Sequence, residues 1–269
     1  MKNIYISIAG YIIQISIYNS NSSDRLENDI KDLYQSFIIT RKSTKINFFI
    51  EIYNKPFNKP IKIISQTVNN RVENYLYFFE EYGNKIKTFY YISINQFVSI
   101  LIIALQKLLV ESQSFMLHAS AVSFKNWAII FTGTSGAGKS TIIKQLENKY
   151  RAIADDTIII KKENNNYYCY QTPFIEKNYW FRKENKRFKI KKLYLLEKVN
   201  YYRIKKISNK KSLITKFANQ LFTNNKNLKK QIKDLLDFTN TFDEFHHLYF
   251  KKDSDPNRLK IMLENDIRK

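Results

Sequence analysis

A chain of 269 residues that is 44% hydrophobic holds enough apolar material for one large domain or two modest ones, and shows no repeat or long low-complexity tract. Its formal charge of +21 suggests an acidic partner, yet 36 of the 45 basic residues are Lys in a chain crowded with Ile, Asn, Tyr and Phe; these are residues of AT-rich codons, so coding bias is the competing source of the charge. A single cysteine, Cys169, excludes an internal disulfide framework and a Cys-based zinc site, and agrees with the reducing cytoplasm.

From residue 1 to about 94 the texture is β-branched or aromatic with a period of two, which predicts a β-rich lobe. The opening "MKNIYISIAGYIIQISIYN" reads as strands and not as a signal peptide, because Asn3, Ser7, Gly10, Gln14 and Ser16 interrupt its apolar run. The stretch 24–37 is an amphipathic helix, "INFFIEIY" and "IKIIS" are strands, and Tyr82-Gly83-Asn84 punctuates a hairpin. A second domain is placed at 95–269. It begins with the apolar run 97–110, which Gln106 and Lys107 keep short of the ~20 residues a membrane span needs, so a buried helix is expected and no membrane partner. "FMLHASAVSF" and "AIIFTG" follow as two apolar strands, "STIIKQLENKY" as a helix and "RAIADDTIII" as a strand carrying two acids. "YYCYQTPF" and "LYLLEKVNYYRIKKIS" are further strands, 209–240 two basic helices and "FHHLYF" a last strand. Asp255-Pro256 opens a terminal helix, since Asp suits the N-cap and Pro the first turn.

Three of the five glycines fall within "FTGTSGAGKST", residues 131–141. Gly133-Thr134-Ser135-Gly136-Ala137-Gly138-Lys139-Ser140 fits G-x-x-x-x-G-K-[ST], the phosphate-binding P-loop or Walker A pattern. Glycines let the backbone curl so that successive N–H groups face a phosphate, and the following helix adds the positive end of its dipole. At this chain's composition the pattern arises by chance in about one such chain in several hundred, and the strand before and helix after supply the context it requires. Gly133 to Thr141 are thus expected to bind ATP, with Lys139 on the β- and γ-phosphates and the Ser140 hydroxyl on Mg²⁺.

The neighbours must choose the reaction. Asp155 and Asp156 stand where a Walker B acid would hold Mg²⁺, and two adjacent carboxylates permit one to ligate metal while the other takes a proton from an attacking hydroxyl. His118 lies on the strand before the P-loop strand. His246 and His247 lack metal-ligand companions and read as structural.

The succession "LHASAV", "AIIFTGTSGAGKST" and "LENKYRAIADD" resembles the catalytic core of the HPr kinase/phosphorylase superfamily. "YQTPFIEKNYWFRKENKRFKIKKLYLLEK" is similar to a Thr-Pro-aromatic stretch and strand of its smaller relatives, many of which accompany peptide-modification genes. The resemblance spans about 115–200. It implies an HPr-kinase-like (phosphoenolpyruvate-carboxykinase-like) α/β fold, with Lys139 and Ser140 on phosphate and Mg²⁺ and Asp156 holding the metal. It also implies that Asp155 is the base that activates a serine hydroxyl and that His118 supports Asp155. The chain departs from the bacterial enzymes at Thr141, where they carry Glu, and has no glycine beyond Gly138, so their glycine-rich segment after the acids is missing.

The expected function is transfer of the γ-phosphate of ATP to a hydroxyl, most readily of Ser in a peptide or protein. The alternatives are a kinase of a nucleic acid or small molecule on the same core, or a nucleotide-dependent regulator without transferase activity. Residues 131–269 carry +16 of the charge, which favours an acidic acceptor lying along "NYWFRKENKRFKIKK" and the helices at 209–240. Arg182, Arg187 and Arg203 are candidates for the cation that stabilises the transition state.

Overall fold

The computed structural model describes residues 1–18, 24–40, 45–53, 63–68, 71–76, 78–90, 92–174, 176, 182–223, 227–251 and 255–268. The chain is mixed α/β and divides into two compact units, Met1–Leu108 and Leu109–Lys269.

The first unit holds β1 (Lys2–Ile8), β2 (Tyr11–Tyr18), helix α1 (Asp24–Leu33), β3 (Phe48–Tyr53), β4 (Ile63–Val68), β5 (Arg71–Leu76), β6 (Phe79–Tyr82) and β7 (Lys85–Thr88), and ends in α2 (Ile94–Val110). Its sheet runs β1-β2-β3-β7-β6, while β4 and β5 form a separate antiparallel hairpin. The alternation read in the sequence is the alternation of burial. Ile4, Ile6 and Ile8 of β1 and Ile13, Ile15 and Ile17 of β2 are buried while Tyr5, Ser7 and Gln14 between them are more open; Ser16 is the exception, buried between Ile15 and Ile17. Ala9 and Gly10, both at positive φ, close the two-residue turn between these strands, the backbone that a type I′ hairpin requires.

Texture alone puts the domain boundary at 94–95, ahead of α2, whereas the compact units divide at Leu108–Leu109. The change of texture marks where strands stop. The helix itself is tied to what precedes it: Phe97 meets the Tyr34 ring edge-on at 5.7 Å, and Lys107 Nζ donates to the Gly83 carbonyl. Among the described residues no helix is long and apolar enough to cross a membrane.

Among its described residues the second unit holds nine strands: β8 (Ser114–His118), β9 (Ser120–Phe124), β10 (Trp127–Thr132), β11 (Arg151–Ala154), β12 (Thr157–Glu163), β13 (Asn166–Gln171), β14 (Arg187–Lys198), β15 (Arg203–Lys206) and β16 (Phe245–Phe250). Their order is β11-β9-β10-β14-β13-β12-β8, with β16 on β14 and β15 on β16. The β10–β14 and β14–β16 pairs are parallel.

Helices cover both faces. Ala128 and Ile130 of β10 and Leu193 and Leu195 of β14 pack with Leu213 and Phe217 of α4 (Lys211–Ala218) and Leu235 and Phe238 of α5 (Leu228–Thr241). The alternate residues Ile129, Phe131, Tyr194 and Leu196 pack with Ile142, Ile143 and Leu146 of α3 (Lys139–Leu146) and Leu259, Leu263 and Ile267 of α6 (Pro256–Ile267). A strand buried on both sides has no polar face to alternate with, which is why "AIIF" is apolar throughout. As the sequence implies, Asp255 caps α6, its carboxylate accepting from Asn257 N at 2.9 Å.

One polar cluster fastens α6 to the sheet. Lys192 Nζ donates to the Asp266 carbonyl at 2.6 Å and to Asp266 Oδ2 at 3.0 Å, and the Tyr194 hydroxyl donates to the same Oδ2 at 2.7 Å. Burial alone would raise the Asp266 carboxyl, but Tyr194 and Lys192 reverse this and hold it below its usual value. A depressed carboxyl contributes stability that is present above its unfolded pKa and is lost as pH falls through the folded one. Asp266→Ala should cost about 3 kcal/mol in urea unfolding at neutral pH, because it strands a buried ammonium and hydroxyl. The low end of the usual range applies, since Glu244 Oε2 remains 3.7 Å from Lys192 Nζ. An unchanged midpoint would show that the cluster is not a clamp.

Candidate active site

The glycine-rich segment connects the end of β10 to the start of α3. Gly138 adopts φ +100° as the residue before the helix, and a Cβ there would stand 2.7 Å from Phe250 Cζ and 3.2 Å from Lys198 Cε. Gly136, at φ +79°, supplies the other left-handed bend of the loop. The loop leads directly into the first turn of α3, where backbone N–H groups have no partner within the helix. Lys139 is buried, and its ammonium donates to the carbonyls of Gly133 at 2.9 Å and Thr134 at 3.4 Å.

The acids come from a change of partner in the sheet. The sequence reads "RAIADDTIII" as one strand, but the structure makes two of it: β11 pairs with β9, β12 pairs with β8 and β13, and Asp155-Asp156 form the corner between. The facing segment makes the matching switch at Ala119, between β8 and β9. Ala119 N donates to the Asp156 carbonyl at 3.1 Å, and Ser120 Oγ lies 3.0 Å from the Asp155 carbonyl and 3.2 Å from its Oδ1. Thr132, the last residue of β10, donates its hydroxyl to the His118 carbonyl at 3.2 Å. These bonds bring His118, the glycine loop and both acids to one end of the sheet.

The two acids differ in surroundings. Asp155 is 3% exposed, whereas the Asp156 side chain retains 36% of its accessible surface. His118 Nδ1 lies 3.2 Å from Asp156 Oδ1. The family resemblance assigns His118 to the support of Asp155; the ion-pair contact seen is with Asp156. Beneath the corner sits a buried pair that the sequence did not reveal. Glu176 accepts the Asp155 backbone N–H, and its other oxygen lies 3.0 Å from Lys183 Nζ. Burial pushes the Glu176 carboxyl up and the Lys183 ammonium down, each partner opposing the other's shift. No local pattern marks Glu176, because its partner is 21 residues away across the sheet.

A cleft of about 220 Å³ gathers Ser135, Gly136, Gly138, Lys139, Ser140 and Thr141 opposite His118, Asp155 and Asp156. Gly133, Thr134 and Ala137 belong to the same loop but are not among the residues lining the cleft. The donor set of one hydroxyl and two carboxylates is hard and all-oxygen, which suits Mg²⁺; a cation that keeps waters and phosphate oxygens needs few protein ligands. Among the described residues no group of three or more His, Cys, Asp or Glu is gathered as a metal site.

The arginines singled out as cation candidates do not line this cleft. Arg187 starts β14, the far end of that strand, where it pairs with Glu163 and covers the Tyr168 ring at 4.8 Å. Arg182 and Arg203 are exposed. The cation that does line the cleft is Lys198, at the last position of β14. His246 and His247 stand on β16: burial lowers both imidazoles, and His247 Nδ1 lies 2.8 Å from Glu197 Oε1.

A family model described as SynChlorMet cassette protein ScmC matches residues 84–234, more than half of the chain. The chain belongs to this family. The ScmC match takes in His118, the glycine loop, Asp155, Asp156 and Lys198, and ends within α5. No curated protein matches the chain. Among solved structures, that of the HPr(Ser) kinase/phosphatase from Coxiella burnetii is similar at 14% identity over 56% of this chain and 95% of that one, with a TM-score of 0.33.

Proposed function

We propose that this ScmC-family chain is a cytoplasmic ATP-dependent kinase that transfers the γ-phosphate to a serine hydroxyl of a peptide or protein. The observation that carries the reading is the convergence, in one cleft, of a glycine loop at a helix N-terminus, its buried Lys139 and the Asp155-Asp156 corner. A loop of this form is a P-loop: it offers backbone N–H groups and one ammonium to a triphosphate. Ser140 and Asp156 would hold Mg²⁺, which when bound neutralises phosphate charge that builds during transfer.

The remaining chemistry falls to the chain. Asp155, buried at the corner with Ser120 Oγ 3.2 Å from its Oδ1 and its backbone N–H held by Glu176, is positioned to act as the proton acceptor. It takes the hydroxyl proton as the acceptor oxygen bonds to the γ-phosphorus and the β–γ bridging bond breaks, releasing ADP. Asp156, half-exposed, suits a metal that retains water, and His118 orients it. Positioning and electrostatics supply most of the rate in such transfers.

The acceptor's charge is a separate matter. Lys183, Lys186, Arg187 and Lys192 each lie against a carboxylate of the chain itself, and 177–181 fall outside the described residues. That run is therefore partly neutralised from within. An acidic acceptor would meet the exposed Arg182 and the exposed lysines of α5, Lys229, Lys230 and Lys233.

The test is incubation of the purified chain with labelled ATP, Mg²⁺ and Ser-containing peptides encoded by neighbouring genes. Label should appear on Ser of one peptide and vanish when that Ser is replaced by Ala. Steady ATP hydrolysis without labelled product in those peptides or in lysate would overturn the kinase reading in favour of a nucleotide-driven regulator.

A further inference from the structure

The glycine loop has two flanks. On one, β9 carries Ser120 and β11 leads into the acids; on the other runs β14, parallel to β10, with Thr132 paired with Leu195. Lys198 therefore stands three residues beyond that level, beside the loop and not beneath the sheet. Its backbone is fixed there, since Lys198 pairs with Phe250 and Val199 N donates to the Phe250 carbonyl at 3.0 Å. The Lys198 side chain passes the back of Gly138, with Cε 3.2 Å from where a Cβ would be, and lines the same cleft as Lys139 and Ser140. Two other cations of this unit are committed elsewhere: Lys216 lies 3.4 Å from Glu197, and Lys206 2.7 Å from Glu244. Among the described residues no carboxylate lies within ion-pair distance of Lys198.

We infer that Lys198 is a second phosphate-binding cation, closing on the phosphate chain of a nucleoside di- or triphosphate from the flank opposite the acids. This deepens the kinase reading and rests on it. A long flexible stem on a rigid strand end suits the role, because the ammonium is a compact point charge with three rotatable donors. Placement away from the proton acceptor makes it a binding group and not part of proton transfer. The bland alternative is a solvated strand-end lysine.

Calorimetric titration with Mg·ADP and Mg·ATP separates the two. Lys198→Gln should weaken both nucleotides about tenfold, the worth of one charge-assisted contact, and Lys198→Arg should restore most of the affinity. Lys205→Gln, on β15, removes the same charge away from the cleft and should leave both affinities unchanged. If wild type binds nucleotide and Lys198→Gln binds no more weakly than Lys205→Gln, the assignment of Lys198 is overturned while the kinase reading stands. If wild type binds neither nucleotide, both fall.

Discussion

Lys139→Ala should remove measurable Mg·ATP binding under conditions where wild type binds in the micromolar range, and with it any phosphoryl transfer. The ammonium is the loop's own side-chain cation, and it is buried against the carbonyls of Gly133 and Thr134. A phosphate entering the cleft meets a donor already desolvated and already anchored to the loop that must receive it, so little ordering remains to be done on binding. Truncating one partner of such a charge pair costs about 2–5 kcal/mol, or roughly 30- to 4000-fold in affinity. Ala is a good residue at a helix start, and the lost bonds are to carbonyls near the cleft, so thermal unfolding should move by only a few degrees. Unchanged ATP affinity in a folded Lys139→Ala protein would sink the P-loop assignment and the nucleotide with it.

What was legible in the sequence follows the range of the interactions concerned. The glycine loop, its strand and its helix are local: spacing from Gly133 to Ser140 prescribes them, and the structure shows both elements at their expected places. The β1–β2 hairpin and the Asp255 cap are local in the same sense. Partners across the sheet are not. Nothing near Lys198 in "LLEK" marks it as a cleft residue; that depends on the parallel pairing of β10 with β14, whose partners lie some 60 positions apart. Arg187 has the better side chain for phosphate, yet it occupies the wrong end of the same strand.

The acid corner shows both effects at once. After its apolar run Asp155-Asp156 by itself reads as easily as a solvated strand end, and it is the P-loop ahead of it that marks the pair as a candidate site. That the run breaks into two strands there was not visible, since a switch of partner leaves no trace in hydrophobic period. The switch is what turns two consecutive side chains, which in a continuous strand would point to opposite faces, into lining for one cleft. In the sequence Lys183 is one cation of the basic run 178–192, and Glu176 stands out only as a letter of the stretch that carries the family resemblance. Their burial beneath the corner is a tertiary fact, and it gives the Thr-Pro-aromatic segment a physical role: its Lys183 donates to the Thr172 and Phe174 carbonyls while Glu176 holds the Asp155 backbone.

The division of labour between the two acids carries the second large prediction. Asp155→Asn should slow single-turnover transfer by about 10²–10⁴, the usual worth of a positioned base, while leaving Mg·ATP affinity nearly intact. The fold should tolerate it, because Ser120 can donate to an amide oxygen as to a carboxylate and the Glu176 contact is to the backbone. Asp156→Asn should instead raise the Mg²⁺ concentration needed for half-maximal rate, since an amide oxygen is a poorer ligand for a hard cation. His118 decides between the resemblance and the geometry. If its contact with Asp156 is the working one, His118→Ala shifts the Mg²⁺ requirement in the same direction as Asp156→Asn, and its effect shrinks once Asp156 is already Asn, as coupled neighbours require. If His118→Ala lowers the rate at saturating Mg²⁺ and its effect shrinks only in the Asp155→Asn background, His118 serves the base. Equal loss of metal affinity in both Asn variants, with no selective rate defect in either, would mean that the acids act together on the metal and that the proton acceptor lies elsewhere.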